Sequence, residues 1–271
     1  MNYSKITDKL FSSFYSISRI FPSRIKHRII RLPFIGNFID ILRLKMRLSR
    51  GDVEELVDID SDYEPDVREI IRRFVKPGWV CVDVGAHIGH ITVELAKHVA
   101  PDGCVFAFEP HPDNIRRLKK NLRLMKLKKW VKIIHGAVSD KSSGYLMLFA
   151  GRQNSSFEWN IAGHDVEGHP TAPVMKVRSY KLDDYFRDAQ HIDFVKIDVE
   201  GTEELVLAGM QKLLEKHKPI VVIEFHNEAG WASRNLLLQN GYMLFDTKET
   251  PVKTGPDVPR VWHCIALHCE K

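Results

Sequence analysis

The amino-acid sequence predicts a doubly wound α/β fold built on a mainly parallel sheet. Apolar, β-branched runs such as residues 80–84 and 220–225 are typical of strands buried on both faces. Segments with helical spacing of apolar residues alternate with most of these runs, and such alternation favours a parallel sheet with helices on both faces. A glycine-rich turn directly after the first run indicates where the fold binds its ligand.

The predicted elements follow in chain order. A helix over residues 65–75 ends at Pro77 and Gly78, immediately before the first strand. The next helix begins near Ile91, and another opens at Pro112 and Asp113, since proline and an acidic residue suit the first turn of a helix. Strands are predicted near residues 80–84, 105–109, 131–135, 145–149, 174–179, 194–198, 220–225, 242–245 and 261–267. An antiparallel hairpin near the C-terminus closes the sheet.

The turn after the first strand reads Asp83-Val84-Gly85-Ala86-His87-Ile88-Gly89. Gly85 and Gly89 allow a tight bend without a Cβ in the way. A nicotinamide dinucleotide requires a glycine where its pyrophosphate touches the backbone, but His87 occupies that position. Asp83 repels a pyrophosphate and attracts the ammonium and sulfonium of S-adenosylmethionine. Although aspartate is also common in caps and turns, this turn favours the methyl donor over NAD.

Glu109 ends the second predicted strand and is followed by Pro110. An acidic residue at this point of a doubly wound fold accepts hydrogen bonds from the ribose hydroxyls of a nucleotide. Both nucleotide classes share this contact. Glu109 therefore indicates an adenosine group without distinguishing S-adenosylmethionine from NAD.

Further motifs follow in a fixed order: Phe108-Glu109-Pro110, Leu182-Asp183-Asp184, Val195-Lys196-Ile197-Asp198-Val199-Glu200-Gly201 with Glu203 or Glu204, and Val222-Ile223-Glu224-Phe225-His226. With the glycine-rich turn, their order and spacing over residues 66–245 resemble the FkbM family of S-adenosylmethionine-dependent methyltransferases. The resemblance implies a class I, Rossmann-like sheet of seven strands and O-methylation of sugars, polyketides or similar hydroxylated molecules. The expected contacts of the cofactor, S-adenosyl-L-methionine, are Asp83, Gly85, Ala86, Gly89, Glu109, Pro110 and Asp198.

Lys196 is an unusual residue for the middle of a strand that is buried on both faces. By strand alternation it shares one side with Asp198 and Glu200, and Glu224 ends the strand expected beside it. One interpretation is an ion pair that only fixes strand register, because breaking a buried pair costs about 3 to 5 kcal/mol whatever its function. The other is a catalytic wall, since open α/β sheets bind ligands at the carboxyl ends of their strands.

Methyl transfer to a hydroxyl is faster with a base that removes the hydroxyl proton, typically by 10²- to 10⁴-fold. His226 is the first candidate, because it follows Glu224 at a strand end and histidine titrates near neutral pH. Asp198 and Glu200 are the alternative catalytic residues. A histidine at a strand end is also often structural, and this interpretation stays open.

A stretch of about 22 residues with little periodicity separates the strands at 145–149 and 174–179, and such long connections usually serve binding. Asn154, Ser155 and Ser156 resemble the polar loop that FkbM relatives place over the substrate, and we expect Glu224 beside it. No metal site is predicted. Strand alternation divides the possible C-terminal ligands between two faces, and the loop ligands are more typical of a solvated loop: His263, Cys264, His268, Cys269, His164, Asp165, Glu167 and His169.

Charge is unevenly distributed along the chain. Residues 1–50 contain 11 Lys and Arg against two Asp, which gives +9, whereas the whole chain carries +5. Mixed with aromatic and aliphatic residues, this composition suits an amphipathic helix on an anionic membrane surface. Packing against the protein or a partner subunit in a homodimer is favoured over membrane contact, and nucleic acid is a third alternative. We predict a helical extension over residues 1–60 and a methyltransferase domain over residues 61–271.

No apolar run approaches about 18 residues and no cleavable leader is evident, which predicts a cytoplasmic protein with at most peripheral membrane contact. The four cysteines are expected to be free thiols. The predicted function is methyl transfer from S-adenosylmethionine to a hydroxyl of a small molecule, such as a sugar or glycan. An RNA or protein methyltransferase and a nucleotide-binding or NAD-dependent module are the alternatives. No nucleic-acid partner is expected, because an aromatic stacking platform for single strands is not evident.

Overall fold

The computed structural model describes residues 63–142, 144–150, 159–160, 173–253, 255 and 261–270. The chain divides into two units between Glu54 and Glu55, and every described residue belongs to the second unit. The predicted extension over residues 1–60 lies outside the described residues. The same holds for the loop residues Asn154, Ser155, Ser156, His164, Asp165, Glu167 and His169.

The described elements alternate as the sequence predicts. The helices are α1 (Pro65–Phe74), α2 (His90–Val99), α3 (Pro112–Leu124), α4 (Leu182–Tyr185), α5 (Glu203–Ala208), α6 (Gln211–His217), α7 (Glu228–Ala232) and α8 (Arg234–Gln239). A 3₁₀ helix covers Lys128–Trp130. The strands are β1 (Val80–Val84), β2 (Cys104–Glu109), β3 (Val131–His135), β4 (Ala137–Val138), β5 (Tyr145–Ala150), β6 (Trp159–Asn160), β7 (Pro173–Tyr180), β8 (Phe194–Ile197), β9 (Ile220–Glu224), β10 (Tyr242–Asp246) and β11 (His263–His268).

Seven strands form the main sheet in the order β10-β11-β9-β8-β1-β2-β3. Strands β3, β2, β1, β8 and β9 pair in parallel. Strand β11 is antiparallel to both of its neighbours, β9 and β10. The predicted doubly wound sheet with an antiparallel C-terminal hairpin is thus confirmed, and each of the nine predicted strands is present within two residues of its expected bounds.

A second sheet joins four strands in the order β4-β7-β5-β6. Strands β5 and β7, both predicted from their apolar runs, pair antiparallel with each other and stand apart from the main sheet. Strands β4 and β6 contain two residues each and were not predicted, since so short a segment carries no periodic signal. The second sheet therefore results from pairing that the local pattern did not reveal.

The main sheet is covered on both faces, as its continuous apolar strands require. In β9, Val221 and Ile223 belong to one apolar cluster, together with residues of α5 and α6. Ile220 and Val222 belong to another cluster on the opposite face, together with residues of α1 and α2. Among the described residues, no helix combines the length and apolar character needed to cross a membrane.

The strand register brings four acidic residues to one edge of the sheet. Val84 at the end of β1 pairs with Phe108 of β2 and with Ile197 of β8, and Ile197 pairs with Ile223 of β9. As a result, the carboxyl ends of these strands lie side by side. The residues at or next to these ends are Asp83, Glu109, Asp198 and Glu224. This edge is where doubly wound sheets bind their ligands.

Candidate active site

The turn between β1 and α2 requires its glycines. Gly85 has a φ of +84°, and a Cβ added there would lie 1.7 Å from the carbonyl oxygen of Asp198. Gly89 has a φ of +99°, and its Cβ would lie 2.4 Å from Cδ1 of Leu118. The backbone N–H groups of Gly85 and Ala86 both donate to the carbonyl of Phe108 at 3.0 Å. The turn is therefore packed between β2 and the loop after β8, which confirms the predicted tight bend.

His87 occupies the middle position of this turn with a φ of +51°, in the left-handed region that favours glycine. Its backbone N–H donates to Oε2 of Glu109 at 2.8 Å. Burial lowers the pKa of His87 to about 4. The side chain is consequently a neutral imidazole at pH 7, and the turn holds no positive charge of its own for a pyrophosphate.

Glu109 joins the turn to the end of β2. Its Oε1 accepts hydrogen bonds from the backbone of His111 at 2.8 Å and from the amide of Asn114 at 3.1 Å, while Oε2 accepts from His87. Burial raises the pKa of Glu109 to about 7, and these hydrogen bonds oppose the rise. Each carboxylate oxygen accepts about two hydrogen bonds. Oε2 thus retains the capacity to accept one more, from a ligand hydroxyl. Next to Glu109, Nε2 of His135 lies 3.0 Å from the carbonyl oxygen of Pro110.

Asp83 is the fourth residue of β1, just before the glycine-rich turn, and is fully buried. Its Oδ2 accepts a hydrogen bond from the hydroxyl of Thr92 at 2.5 Å. Its Oδ1 has no hydrogen-bond partner within the described part of the chain. Burial raises the pKa of Asp83, because a carboxylate loses its hydration there. A buried acceptor with spare capacity is therefore present where the sequence predicts a donor contact.

His90 and Tyr63 form a contact directly after the glycine-rich turn that was not predicted from the sequence. Their rings stack at 4.1 Å between centroids, which brings the residue before Glu64 against the first residue of α2. Burial lowers the pKa of His90 to about 3, and within the described ranges neither ring nitrogen has a hydrogen-bond partner. A stack between positions this far apart in the sequence leaves no local signal. It was visible only in the structure.

Lys196 pairs with Asp198, as one of the two sequence interpretations requires. Its Nζ donates to Oδ2 of Asp198 at 2.8 Å, and Oε2 of Glu64 lies 4.0 Å away. Burial opposes both charges, but the pKa of Lys196 is raised by Asp198 and Glu64, and the pKa of Asp198 is lowered by Lys196. Both groups are therefore ionised at neutral pH. The pair lies at the carboxyl edge of the sheet, so its structural role and a role in the site are compatible.

His226 lies among four carboxylates. Its Nδ1 is 2.9 Å from Oε1 of Glu203. Its Nε2 is 3.7 Å from Asp198, 3.5 Å from Glu200 and 3.5 Å from Glu224. The side chains proposed for catalysis from the sequence, His226, Asp198 and Glu200, are thus in one cluster, with Glu224 beside them.

The surroundings of His226 raise its pKa to about 9. Burial alone would lower the pKa, but the hydrogen bond to Glu203 and the charges of Asp198, Glu200 and Glu224 outweigh it. The expectation that His226 titrates near neutral pH is wrong for the free protein. At pH 7 the side chain is an imidazolium, with a neutral fraction of about one in a hundred.

Glu203 holds the ring of His226 through its hydrogen bond to Nδ1. It is fully buried at the start of α5, and its Oε1 also accepts a hydrogen bond from the backbone N–H of Gly201 at 2.9 Å. The resemblance included this position only as a motif residue, without a role. Because Glu203 is hydrogen-bonded to Nδ1 of His226, the opposite ring nitrogen, Nε2, is directed toward Asp198, Glu200 and Glu224.

A second histidine contacts Glu224 from the antiparallel strand. Nε2 of His263 lies 2.9 Å from Oε2 of Glu224, and Nδ1 lies 3.6 Å from Asp66. The hydrogen bond to Glu224 raises the pKa of His263. From the sequence, His263 was considered only as a metal ligand, and its contact with Glu224 was not predicted. The register that pairs His263 with Glu224 could have revealed it, but only once the position of β11 in the sheet was known.

Two triplets in this region could hold a metal ion, with ligand atoms within 4.8 Å of one another in each. They are Asp198, Glu224 and His226, and Glu64, Glu224 and His263. All of these side chains already take part in the ion pairs described above. The absence of a metal remains a prediction from the sequence.

The strand order, with one antiparallel strand between β9 and β10, and the acidic edge define a class I methyltransferase fold. The chain belongs to the methyltransferase FkbM domain family, whose model matches residues 83–244. It is 28% identical over 212 residues to the hexuronic acid methyltransferase AglP of Haloferax volcanii, covering 74% of this chain and 78% of AglP. It is 25% identical over 161 residues to the 2-O-methyltransferase NoeI of Sinorhizobium fredii, covering 55% of this chain and 64% of NoeI.

Solved structures with partial similarity include a methyltransferase FkbM from Methylobacillus flagellatus. Its TM-score is 0.48 at 16% identity, covering 86% of this chain and 59% of that one. Fibrillarin from Aeropyrum pernix, solved with bound S-adenosyl-L-methionine, has a TM-score of 0.43 at 13% identity, covering 74% of this chain and 71% of that one. Family membership rests on the matched domain and establishes this chain as a methyltransferase.

Proposed function

We propose that this protein transfers a methyl group from S-adenosylmethionine to a hydroxyl of a sugar or related hydroxylated small molecule. The FkbM domain over residues 83–244 carries the proposal, because it contains both the glycine-rich turn and the acidic edge. The names of two relatives support a hydroxylated acceptor, since one is a hexuronic acid methyltransferase and the other a 2-O-methyltransferase. No described feature favours NAD or nucleic acid as a ligand over these.

The residues around the turn fit the methyl donor. Asp83 has a buried oxygen with spare capacity, and Oε2 of Glu109 can accept one hydroxyl. Gly85, Ala86 and Gly89 lie in the turn after β1, and Pro110 directly follows β2. Asp198 completes the set with a carboxylate that stays ionised beside Lys196. This excess of carboxylates suits a ligand that carries an ammonium and a sulfonium.

The acceptor is proposed to bind beside Glu224, Glu200 and His226, on the other part of the same edge. The partly exposed carboxylates Glu200 and Glu224 suit hydroxyl donors. Asn154, Ser155 and Ser156 remain proposed substrate contacts on the basis of the family resemblance.

A donor held by Asp83, Glu109 and Asp198 would supply an electrophilic methyl group to the acceptor oxygen, and its sulfur would keep the electron pair of the C–S bond. We propose that Nε2 of His226 takes the hydroxyl proton, and that Asp198 and Glu200 are the alternative bases. Glu203 holds Nδ1 of His226 and so keeps Nε2 directed at the acceptor. Because the pKa of His226 is about 9 in the free protein, this role requires the neutral minority form or a lower pKa in the complex.

Calorimetric titration with S-adenosylmethionine, S-adenosylhomocysteine and NAD tests the donor. We expect binding of the first two, weakened by Glu109→Ala by about 1.5 to 3 kcal/mol if the carboxylate makes a charge-assisted contact. Binding of NAD alone would exclude the proposal. Once an acceptor is found, His226→Ala should lower turnover far more than donor binding. If His226→Ala keeps near-normal turnover while Asp198→Asn or Glu200→Gln loses it, the base is a carboxylate in the loop after β8.

We further propose the domain division from the sequence, with an extension over residues 1–60 and the methyltransferase domain over residues 61–271. Residues 1–50 of the extension carry a net charge of +9, whereas the whole chain carries +5. The proposed roles of the extension are packing against the domain or a partner subunit, or contact with an anionic membrane surface from the cytoplasmic side.

A further inference from the structure

Trp262 is a large aromatic side chain left half exposed beside the catalytic cluster. It is 49% exposed and immediately precedes β11. Its ring centroid lies 6.2 Å from that of His226, with an angle of 88° between the ring planes. The carbonyl of Trp262 accepts a hydrogen bond from the backbone N–H of Phe225 at 2.8 Å. This backbone pairing at the end of β9 holds the main chain of Trp262 next to the residue that precedes His226.

The neighbours of Trp262 give this surface two different kinds of contact. The indole is apolar and planar, whereas Glu224 and Glu200, each 3.5 Å from Nε2 of His226, are partly exposed carboxylates. A sugar ring has the complementary pair of surfaces, since one face presents C–H groups and the rim presents hydroxyls. Aromatic rings bind the C–H face by apolar contact, and carboxylates accept hydrogen bonds from the hydroxyls. Binding sites commonly combine an apolar wall with a few placed polar groups in this way.

We propose that Trp262 is the platform on which the ring of a sugar acceptor stacks, with its hydroxyls directed at Glu200, Glu224 and His226. This inference rests on the proposed function and deepens it, because it assigns the acceptor to the carbohydrates and names the residue that orients it. The platform acts on acceptor binding alone. It makes no contribution to the turn around Gly85 that we assign to the donor.

The experiment uses the full-length chain with Trp262→Ala and Trp262→Phe. Trp130→Phe is the matched control, because Trp130 lies at the amino end of β3, with its Nε1 donating to the carbonyl of Pro101 at 2.7 Å. The probes are methyl glucopyranoside and methyl glucuronoside. We expect Trp262→Ala to raise the KM for the accepted sugar by at least about tenfold, with kcat within about threefold and an unchanged Kd for the donor. Trp262→Phe should keep most of the affinity, since it retains an aromatic face.

Tryptophan fluorescence gives a measurement that does not depend on turnover. Titration of the protein and S-adenosylhomocysteine with the sugar should change the emission of the wild type and of Trp130→Phe, but not that of Trp262→Phe. This second variant also decides the question if Trp262→Ala fails to fold.

Two outcomes would overturn the inference, and they are distinguishable. If sugars are methylated and Trp262→Ala keeps the wild-type KM, or Trp262→Phe keeps the fluorescence change, the platform is wrong while the proposed function stands. If the protein binds the methyl donor but methylates an oligonucleotide or a peptide and neither sugar, the proposed acceptor class fails, and the platform with it.

Discussion

Replacing Glu203 with glutamine should lower the pKa of His226 while the fold stays in place. Glu203 is fully buried, and its Oε1 accepts hydrogen bonds from Nδ1 of His226 and from the backbone N–H of Gly201. Glutamine keeps the size of the side chain and one carbonyl acceptor, but removes the negative charge. The substitution therefore separates the charge of Glu203 from its shape.

The expected magnitude follows from the present balance at His226. Its pKa is raised from 6.5 to about 9 although burial opposes the rise, a difference worth about 3.4 kcal/mol. A hydrogen bond to a charged group contributes about 1.5 to 3 kcal/mol, so loss of the charge should lower the pKa of His226 by about 1 to 2 units. Since the folded-state pKa exceeds the unfolded value, the stabilisation is complete below pH 6.5 and is lost as the pH rises through about 9. In the variant it is lost at lower pH.

Nuclear magnetic resonance of labelled histidine, titrated from about pH 5 to about pH 10, measures this pKa directly. His226→Ala assigns the signal. Glu215→Gln is the matched control, because Glu215 is an exposed carboxylate on the neighbouring helix α6. A wild-type His226 that titrates near its ordinary value, or one that titrates at the same pH in Glu203→Gln, would refute the reasoning.

The same variant decides which group is the base. If neutral His226 takes the proton, kcat/KM should rise about tenfold per pH unit up to about pH 9, and the midpoint should fall in Glu203→Gln. Asp198 has a lowered pKa and is already ionised at neutral pH. If Asp198 were the base, kcat/KM would show no such rise, and Glu203→Gln would not move it.

Three other predictions follow from the packing and the charge distribution. Gly85→Ala should destabilise the protein by more than about 3 kcal/mol in denaturant unfolding. Gly78→Ala is the control and should cost much less, because Gly78 has a similar φ of +85° but no atom within 4 Å of an added Cβ. Equal losses of stability in the two variants would contradict the close approach of Gly85 to Asp198. Lys196→Met should destabilise the protein by about 3 to 5 kcal/mol in the same assay, with partial recovery in Lys196→Met/Asp198→Asn, because the single variant removes the cation hydrogen-bonded to the buried Asp198 carboxylate. A single variant with unchanged stability would contradict the ion pair. Deletion of residues 1–50 should leave donor affinity within about 1 kcal/mol, and if the segment is a surface anchor only the full-length protein should sediment with anionic vesicles at low salt; equal sedimentation would favour the packing role.

The main sheet was predictable because its strands are continuous apolar runs separated by helices. The second sheet was not, although β5 and β7 were both expected as strands. Their antiparallel pairing joins segments on either side of the long loop, and β4 and β6 are too short to produce a pattern. Local periodicity identifies a strand, but it does not state which partner the strand takes.

The site divides in the same way. Residues at strand ends, such as Asp83 and Glu224, could be placed together because the carboxyl ends of parallel strands meet at one edge. His263 could not, since its contact with Glu224 depends on where the antiparallel strand enters the sheet. The pKa of His226 could not be predicted either, because it depends on how many carboxylates converge on one ring, and these come from a loop, a helix and the end of a strand.

The high pKa of His226 and the positive charge of the methyl donor together predict that donor binding lowers this pKa. A larger fraction of His226 is then neutral and able to accept a proton. Asp198, a proposed donor contact, lies 3.7 Å from Nε2 of His226, so a sulfonium held there competes with the imidazolium for the same carboxylates. By linkage, a ligand that lowers this pKa binds more tightly when His226 is already neutral. S-Adenosylhomocysteine shares the amino-acid end of the donor but lacks the sulfonium, which makes it the matched ligand. The ratio of donor to product affinity should therefore rise from about pH 7 to about pH 9 in the wild type and stay constant in His226→Ala. A ratio that is independent of pH in both proteins would mean that the sulfonium does not change the pKa of His226. Another group would then have to accept the hydroxyl proton of the acceptor.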